Sequence, residues 1–91
     1  RSGSQQAIEV ARGVVRRLAE TKTALELEAG AESLMTNEED LLDIEGDDTG
    51  EKLTHCMLAL RVRARMEQGE LLKDAFRAEM AGVRAVLENE G

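Results

Sequence analysis

Residues 37–51, NEEDLLDIEGDDTGE, contain eight acidic and no basic residues and divide the 91-residue chain into two parts. Residues 1–36 have a net charge of zero and residues 52–91 a net charge of +1. This stretch therefore carries the whole excess behind the net charge of −7. Two glycines and two aspartates within residues 46–50 indicate a turn or loop. The pattern predicts helical segments on either side of an acidic connector.

The composition predicts an all-α fold. The chain has no proline, its only aromatic residue is Phe76, and helix-forming residues dominate. A chain of this length buries only roughly 60–65% of the surface that it exposes when unfolded. One cysteine cannot form an internal disulfide, and twelve alanines bury little area each. We therefore expect a helical hairpin or bundle that is completed by dimerisation.

Three helices are predicted, in an antiparallel arrangement. The first runs from about residue 4 to residue 29, with Ser4 as N-cap and Gly30 as its stop. Its apolar face at 100° per residue consists of Ala7, Ala11, Val14, Val15, Leu18, Leu25 and Ala29. Thr36 and Glu39 match a capping box and predict a short helix over residues 37–45.

An acidic loop over residues 46–50 precedes the last predicted helix. Asp48 or Thr49 caps this helix, which runs over residues 50–89. A continuous or kinked helix is favoured because no strong capping residue lies near Gly69, and a break near Gly69 is the alternative.

The last helix is apolar on more than one side. One stripe consists of Leu53, Met57, Leu60 and Ala64, and continues through Leu71, Ala75, Ala78, Gly82 and Ala85. A second set lies on other faces: Leu58, Val62, Met66, Leu72, Phe76, Val83 and Leu87. One other long helix cannot cover both sides, so the pattern predicts self-association or a partner helix. The predicted protein interface is formed by Leu58, Val62, Met66, Leu72 and Phe76.

His55 and Cys56 are the only histidine and cysteine of the chain. Neighbours on a helix point about 100° apart, so the two do not converge on one substrate or metal ion. We expect Cys56 to be a buried small hydrophobe and His55 to lie at the surface or in an interface. A phosphotransfer histidine is typically followed by Lys-Gly, whereas Cys56 and Met57 follow here. No enzyme activity and no cofactor or metal are predicted.

The acidic stretch resembles a calcium-binding loop only in part. In an EF-hand register starting at Asp43, Asp48 stands where glycine is needed and Thr54 where a bidentate glutamate is needed. A solvated loop, a weak cation site and a docking patch for a basic partner remain open. The predicted docking patch consists of Glu38, Glu39, Asp40, Asp43, Asp47 and Asp48.

The remaining features limit the classes of partner. Arg61, Arg63 and Arg65 fan around a helix, and lysine and stacking aromatics are scarce, so no nucleic acid is expected. We interpret these arginines as rim groups of an interface that pair with acidic residues of a neighbour. No apolar run is long enough for a membrane span, and no small-molecule substrate is evident.

The sequence therefore predicts a non-catalytic interaction or oligomerisation module. Its expected partner is a second copy or another protein's helix, and its expected location is the reducing cytoplasm. The alternative is a small regulatory adaptor or secretion-type chaperone that binds an amphipathic or basic segment of a client protein.

Overall fold

The computed structural model describes the backbone of residues 2–90 and the side chains of residues 9–82. Its helices are α1 (Ser2–Thr21), α2 (Ala24–Asn37), α3 (Thr49–Glu67) and α4 (Leu72–Glu90). The prediction of an all-α fold is confirmed, but four helices replace the three that were predicted. α3 contacts each of the other helices, and α1 also contacts α4. The core therefore surrounds α3.

The first predicted helix is two helices. The predicted helix is interrupted at Thr23, whose side chain accepts a hydrogen bond from the backbone N–H of Glu26 at 3.2 Å. The Glu26 carboxylate in turn accepts from the N–H of Thr23 at 2.8 Å, which completes a capping box and starts α2. Gly30 is not a stop but a buried residue inside α2. Ser4 lies within α1 rather than before it, and the side chains of Ser4 and Ala7 lie outside the described residues.

The predicted short helix over residues 37–45 is wrong. Asn37 is the last residue of α2, and Glu38 ends this helix in the left-handed conformation at φ 56°. Thr36 does not cap a new helix because its hydroxyl donates back to the carbonyl of Glu32 at 2.8 Å. Residues 38–48 are non-helical, and the loop is longer than the predicted 46–50. Asp48 caps α3 as predicted, through a hydrogen bond from the N–H of Glu51 at 2.8 Å.

The favoured continuous helix over residues 50–89 is also wrong, and the alternative break near Gly69 is correct. Gly69 has φ +110°. Residues with a side chain adopt this conformation only at an energetic cost, whereas glycine adopts it readily. Its N–H donates to the carbonyl of Met66 at 3.0 Å, which closes the turn between α3 and α4.

The core consists of small and medium-sized apolar side chains from all four helices and the loop: Val14, Val15, Leu18, Ala19, Leu27, Ala31, Leu34, Ile44, Cys56, Ala59, Val62, Ala75 and Met80. The buried side of α3 is formed by His55, Cys56, Ala59 and Val62. The predicted stripe of Leu53, Met57, Leu60 and Ala64 lies at the margin of this core. Within that stripe Met57 is 41% exposed and Ala64 is exposed. Three helices of the same chain cover α3, so its two apolar sides require no second chain.

The small stripe on α4 is also divided differently from the prediction. Ala75 is buried, whereas Leu71, Ala78 and Gly82 are exposed. The side chains of Val83, Ala85 and Leu87 lie outside the described residues.

Candidate functional site

A groove between α1 and α4 brings four cationic side chains together. It has a volume of about 250 Å³ and is lined by Arg12 and Arg16 of α1 and by Lys73, Phe76, Arg77, Met80 and Ala81 of α4. The four cations and the apolar Phe76 and Met80 are called the basic groove below. Helix periodicity explains this grouping, because residues four apart lie on the same face of a helix. Arg12 and Arg16 share a face of α1, and Lys73 and Arg77 share a face of α4.

The positive charges of the basic groove repel one another. A like-charge pair at i,i+4 destabilises a helix by roughly 0.2–0.5 kcal/mol, and this groove contains one such pair on each helix. Among the side chains that the structure describes, no carboxylate forms an ion pair with any of the four cations. The guanidinium of Arg12 lies 5.9 Å from the centre of the Phe76 ring, a cation–π distance. The groove is thus a concentration of positive charge in a chain of net charge −7.

The arginines of α3 are compensated within the chain. Arg65 Nε donates to Glu79 at 2.6 Å, and this hydrogen bond raises the pKa of Arg65. Arg63 pairs with Glu67 at 3.2 Å, and its guanidinium also donates to a backbone carbonyl of α1. Arg61 lies 4.0 Å from Glu79. In this structure the partners of these arginines belong to the same chain, and their role as rim groups of an interface stays a prediction.

The predicted apolar interface is mostly part of the core. Val62 is 0% exposed, so it is not available to another chain, and this prediction is wrong. Leu58, Met66, Leu72 and Phe76 are partly buried and pack against the core of their own chain. Of the five predicted residues, only Phe76 lines the basic groove.

The acidic loop, residues 38–48, is held by two of its predicted docking residues. The Asp40 side chain is 15% exposed and accepts hydrogen bonds from the N–H groups of Leu42 at 3.2 Å and Ile44 at 2.7 Å. Asp40 also lies 3.4 Å from Lys52 Nζ, and Asp48 caps α3. Five predicted docking residues are exposed, together with the apolar Leu41: Glu38, Glu39, Asp43, Asp47 and the capping residue Asp48.

His55 and Cys56 point to different parts of the chain, as predicted. His55 is buried rather than at the surface. Its Nδ1 donates to the carbonyl of Glu45 at 2.8 Å. The burial of Cys56 is confirmed, and its Sγ donates to the carbonyl of Leu27 at 3.2 Å. Burial raises the pKa of the Cys56 thiol, and the negative charge of Asp40 adds to this effect. Both side chains connect α3 to neighbouring backbone.

Two further observations bear on the type of site. Within the described part of the chain, no group of three or more His, Cys, Asp or Glu residues is arranged to hold a metal ion. None of the helices over the described residues combines the length and the apolar character that crossing a membrane requires.

Sequence reasoning missed the basic groove, since Arg12 and Arg77 are far apart along the chain. The available sign was local: two i,i+4 pairs of like charge, each beside apolar positions of an amphipathic helix. Such pairs identify two basic faces, but only the packing of α1 beside α4 shows that they form one groove.

These features define a small all-helical protein with a basic groove and an acidic loop. The chain belongs to a family of unknown function, DUF6952, which matches residues 12–88. The matched region contains every residue that lines the basic groove. Comparison with curated proteins and with solved structures found no match.

Proposed function

We propose that this chain is a non-catalytic protein-interaction module that binds an acidic, leucine-containing segment in the basic groove. The observation that carries this proposal is the set of four cations around Phe76 and Met80 without a described carboxylate partner. A segment that carries carboxylates would relieve the repulsion between these cations. An apolar side chain of the same segment would cover the partly exposed ring of Phe76.

The arrangement favours binding over chemistry. The side chains with the best nucleophilic or acid–base character, Cys56 and His55, are buried and bonded to backbone carbonyls. A catalytic pair requires a nucleophile and a base within hydrogen-bond reach of each other and of a substrate. The basic groove itself offers guanidinium and ammonium groups, which bind anions and position them.

The expected affinity is modest. Exposed ion pairs each contribute about 0.2–1 kcal/mol, and a buried leucine side chain contributes about 1.5–3 kcal/mol. Association itself costs several kcal/mol, so a dissociation constant in the millimolar range or weaker is expected. Added salt should weaken this binding because the attraction is mainly between charges at the surface.

Fluorescence anisotropy tests this proposal. The probe is a labelled peptide that repeats Glu-Glu-Leu, and its control repeats Gln-Gln-Leu. Arg77→Glu should weaken binding of the acidic peptide at least about tenfold, since it replaces an attraction by a repulsion. The matched variant is Arg61→Glu, which makes the same charge change at a side chain that is 69% exposed and outside the groove.

The results separate groove binding from general charge effects. Loss of binding in Arg77→Glu with retention in Arg61→Glu supports the proposal. Equal loss in both variants, equal binding of the two peptides, or no saturable binding of the acidic peptide would overturn it.

A second candidate is an adaptor or chaperone for a basic amphipathic segment. It is favoured by an open groove between α2 and the acidic loop, which is lined by Ala29, Glu32, Ser33, Thr36, Asn37, Glu39 and Leu41. A labelled peptide that repeats Lys-Lys-Leu tests it, with Glu32→Lys as the variant expected to abolish binding. For either function we propose a cytoplasmic location, on the basis of a single free thiol.

A further inference from the structure

We infer that the occupant of the basic groove is the acidic loop of a second copy of this chain. The inference rests on the proposed function and names its partner. The loop offers six exposed acidic residues, of which Asp48 already caps α3, and the groove offers four cations. The exposed Leu41 lies in the sequence between Glu39 and Asp43, so the loop also carries an apolar side chain that could contact the partly exposed Phe76.

The acidic loop is held in shape within its own chain. Asp40 fixes two backbone N–H groups, and Ile44 is buried in the core. Arg17 of α1 donates to the carbonyl of Asp43 at 3.5 Å, and Asp48 caps α3. A segment that is already ordered loses less conformational entropy on binding than a flexible peptide. The loop is therefore a better ligand than its composition alone implies.

The loop does not satisfy the groove of its own chain. Among the described side chains, the one loop carboxylate with an ion pair is Asp40, and its partner is Lys52 outside the groove. Reciprocal docking of two copies would use the contact twice and close a two-fold dimer. The ion pairs would form over a few ångströms, whereas repulsion between charges farther apart than the Debye length of about 8 Å is screened at physiological salt.

Charge reversal in the full chain tests the inference by sedimentation velocity. The groove variant is Arg16→Glu/Arg77→Glu, and the loop variant is Glu39→Lys/Asp47→Lys; all four residues are exposed. Wild type should form a dimer in the micromolar to millimolar range that dissociates in molar salt. Each variant alone should be monomeric, because either two of the four groove cations become carboxylates that face the acidic loop, or two loop carboxylates become cations that face the basic groove.

Mixing the two variants is the decisive measurement. In the heterodimer one contact joins an unaltered groove to an unaltered loop, and in the other the introduced glutamates face the introduced lysines. A heterodimer should therefore form. Leu41→Ala in wild type should weaken dimerisation at least about tenfold, since it removes most of one apolar side chain from each contact. The matched control is Glu28→Lys/Arg61→Glu, which reverses exposed charges outside both surfaces and should dimerise as wild type does. Circular dichroism of every variant should show unchanged helix content.

The outcomes distinguish this inference from the proposed function. A monomeric wild type that still binds the Glu-Glu-Leu peptide overturns the inference and leaves the proposed function standing, with a segment of another protein as occupant. A wild-type dimer that persists in both variants places the interface elsewhere and overturns the inference. Failure of the mixture to assemble does the same. If neither dimer nor peptide binding is observed, both are wrong.

Discussion

Substitution of Val62 tests whether this side chain belongs to the core of its own chain or to a surface that contacts another chain. The helical pattern alone assigned Val62 to an interface, whereas the structure buries its side chain completely against neighbouring helices. Substitution by glutamate separates the two possibilities because a charge has opposite consequences at the two places. In an interface it splits an assembly, and in a core it unfolds the chain.

The expected loss of stability follows from the burial of this side chain. Val62→Ala removes two methyl groups, about 0.8 kcal/mol each, and leaves a cavity, which together give about 2–3 kcal/mol. Val62→Glu adds the desolvation of an unpaired carboxylate, which is several kcal/mol. A chain of this size has a free energy of unfolding of about 5–14 kcal/mol, at roughly 0.05–0.15 kcal/mol per residue. Val62→Glu is therefore expected to leave little or no folded protein.

Urea denaturation followed by circular dichroism measures both variants. The control is Ala64→Glu, which places the same charge on the same helix at an exposed position. Its free energy of unfolding should remain within about 0.5 kcal/mol of wild type. A Val62→Glu chain that keeps its helix content and loses only self-association would refute the assignment of Val62 to the core.

Three further predictions concern the packing around the acidic loop. Gly30→Ala should destabilise the chain rather than give the usual gain of about 1 kcal/mol in a helix, because the added Cβ would lie 2.5 Å from Leu42 Cδ1. Thermal melts should show no loss of stability when Gly30→Ala is combined with Leu42→Ala, and stabilisation by Gly30→Ala alone would contradict the clash. Folding favours the protonated form of Cys56, so its contribution to stability is complete below pH 9.0 and is lost as pH rises through the raised pKa. The free energy of unfolding, measured by urea titration at each pH, should fall less with rising pH in Cys56→Ala, and the same fall in both proteins would be inconsistent with burial. Asp40→Asn should cost about 1–3 kcal/mol, since it weakens hydrogen bonds to two backbone N–H groups and an ion pair; exposed Glu39→Gln is the control, and equal small effects would show that Asp40 does not hold the loop.

The all-helical class followed from composition, but helix boundaries did not follow from local motifs. Thr23 and Glu26 form a capping box in the structure, whereas Thr36 and Glu39 have the same spacing and do not. The two motifs cannot be told apart locally, since each offers a hydroxyl and a carboxylate at the required positions. The difference comes from packing. Three buried leucine and alanine side chains carry α2 past Gly30 to Asn37: Leu27, Ala31 and Leu34.

The orientation of α3 was beyond sequence periodicity for a related reason. Both of its sides are apolar, so the hydrophobic pattern does not say which one faces inward. The sequence-based prediction assumed that only one other long helix packs against this helix. With α1, α2 and α4 all in contact with α3, the side with Cys56 and Val62 became the interior and Met57 the margin. The same absence of long-range information hid the basic groove, which exists only where α1 and α4 meet.

Charge is distributed in this fold in two contrasting ways. On α3 each arginine has a glutamate partner in the same chain, so charge there serves internal packing. In the basic groove four cations are grouped without such partners among the described side chains, although the chain has 19 acidic residues that could have supplied them. The exposed carboxylates are concentrated instead in a loop that Asp40 and Asp48 hold in place. Separation of opposite charges opposes folding of the single chain, because it forgoes attraction and adds repulsion within each group. The association proposed for two copies would use this separation, since the two groups are complementary when they belong to different molecules.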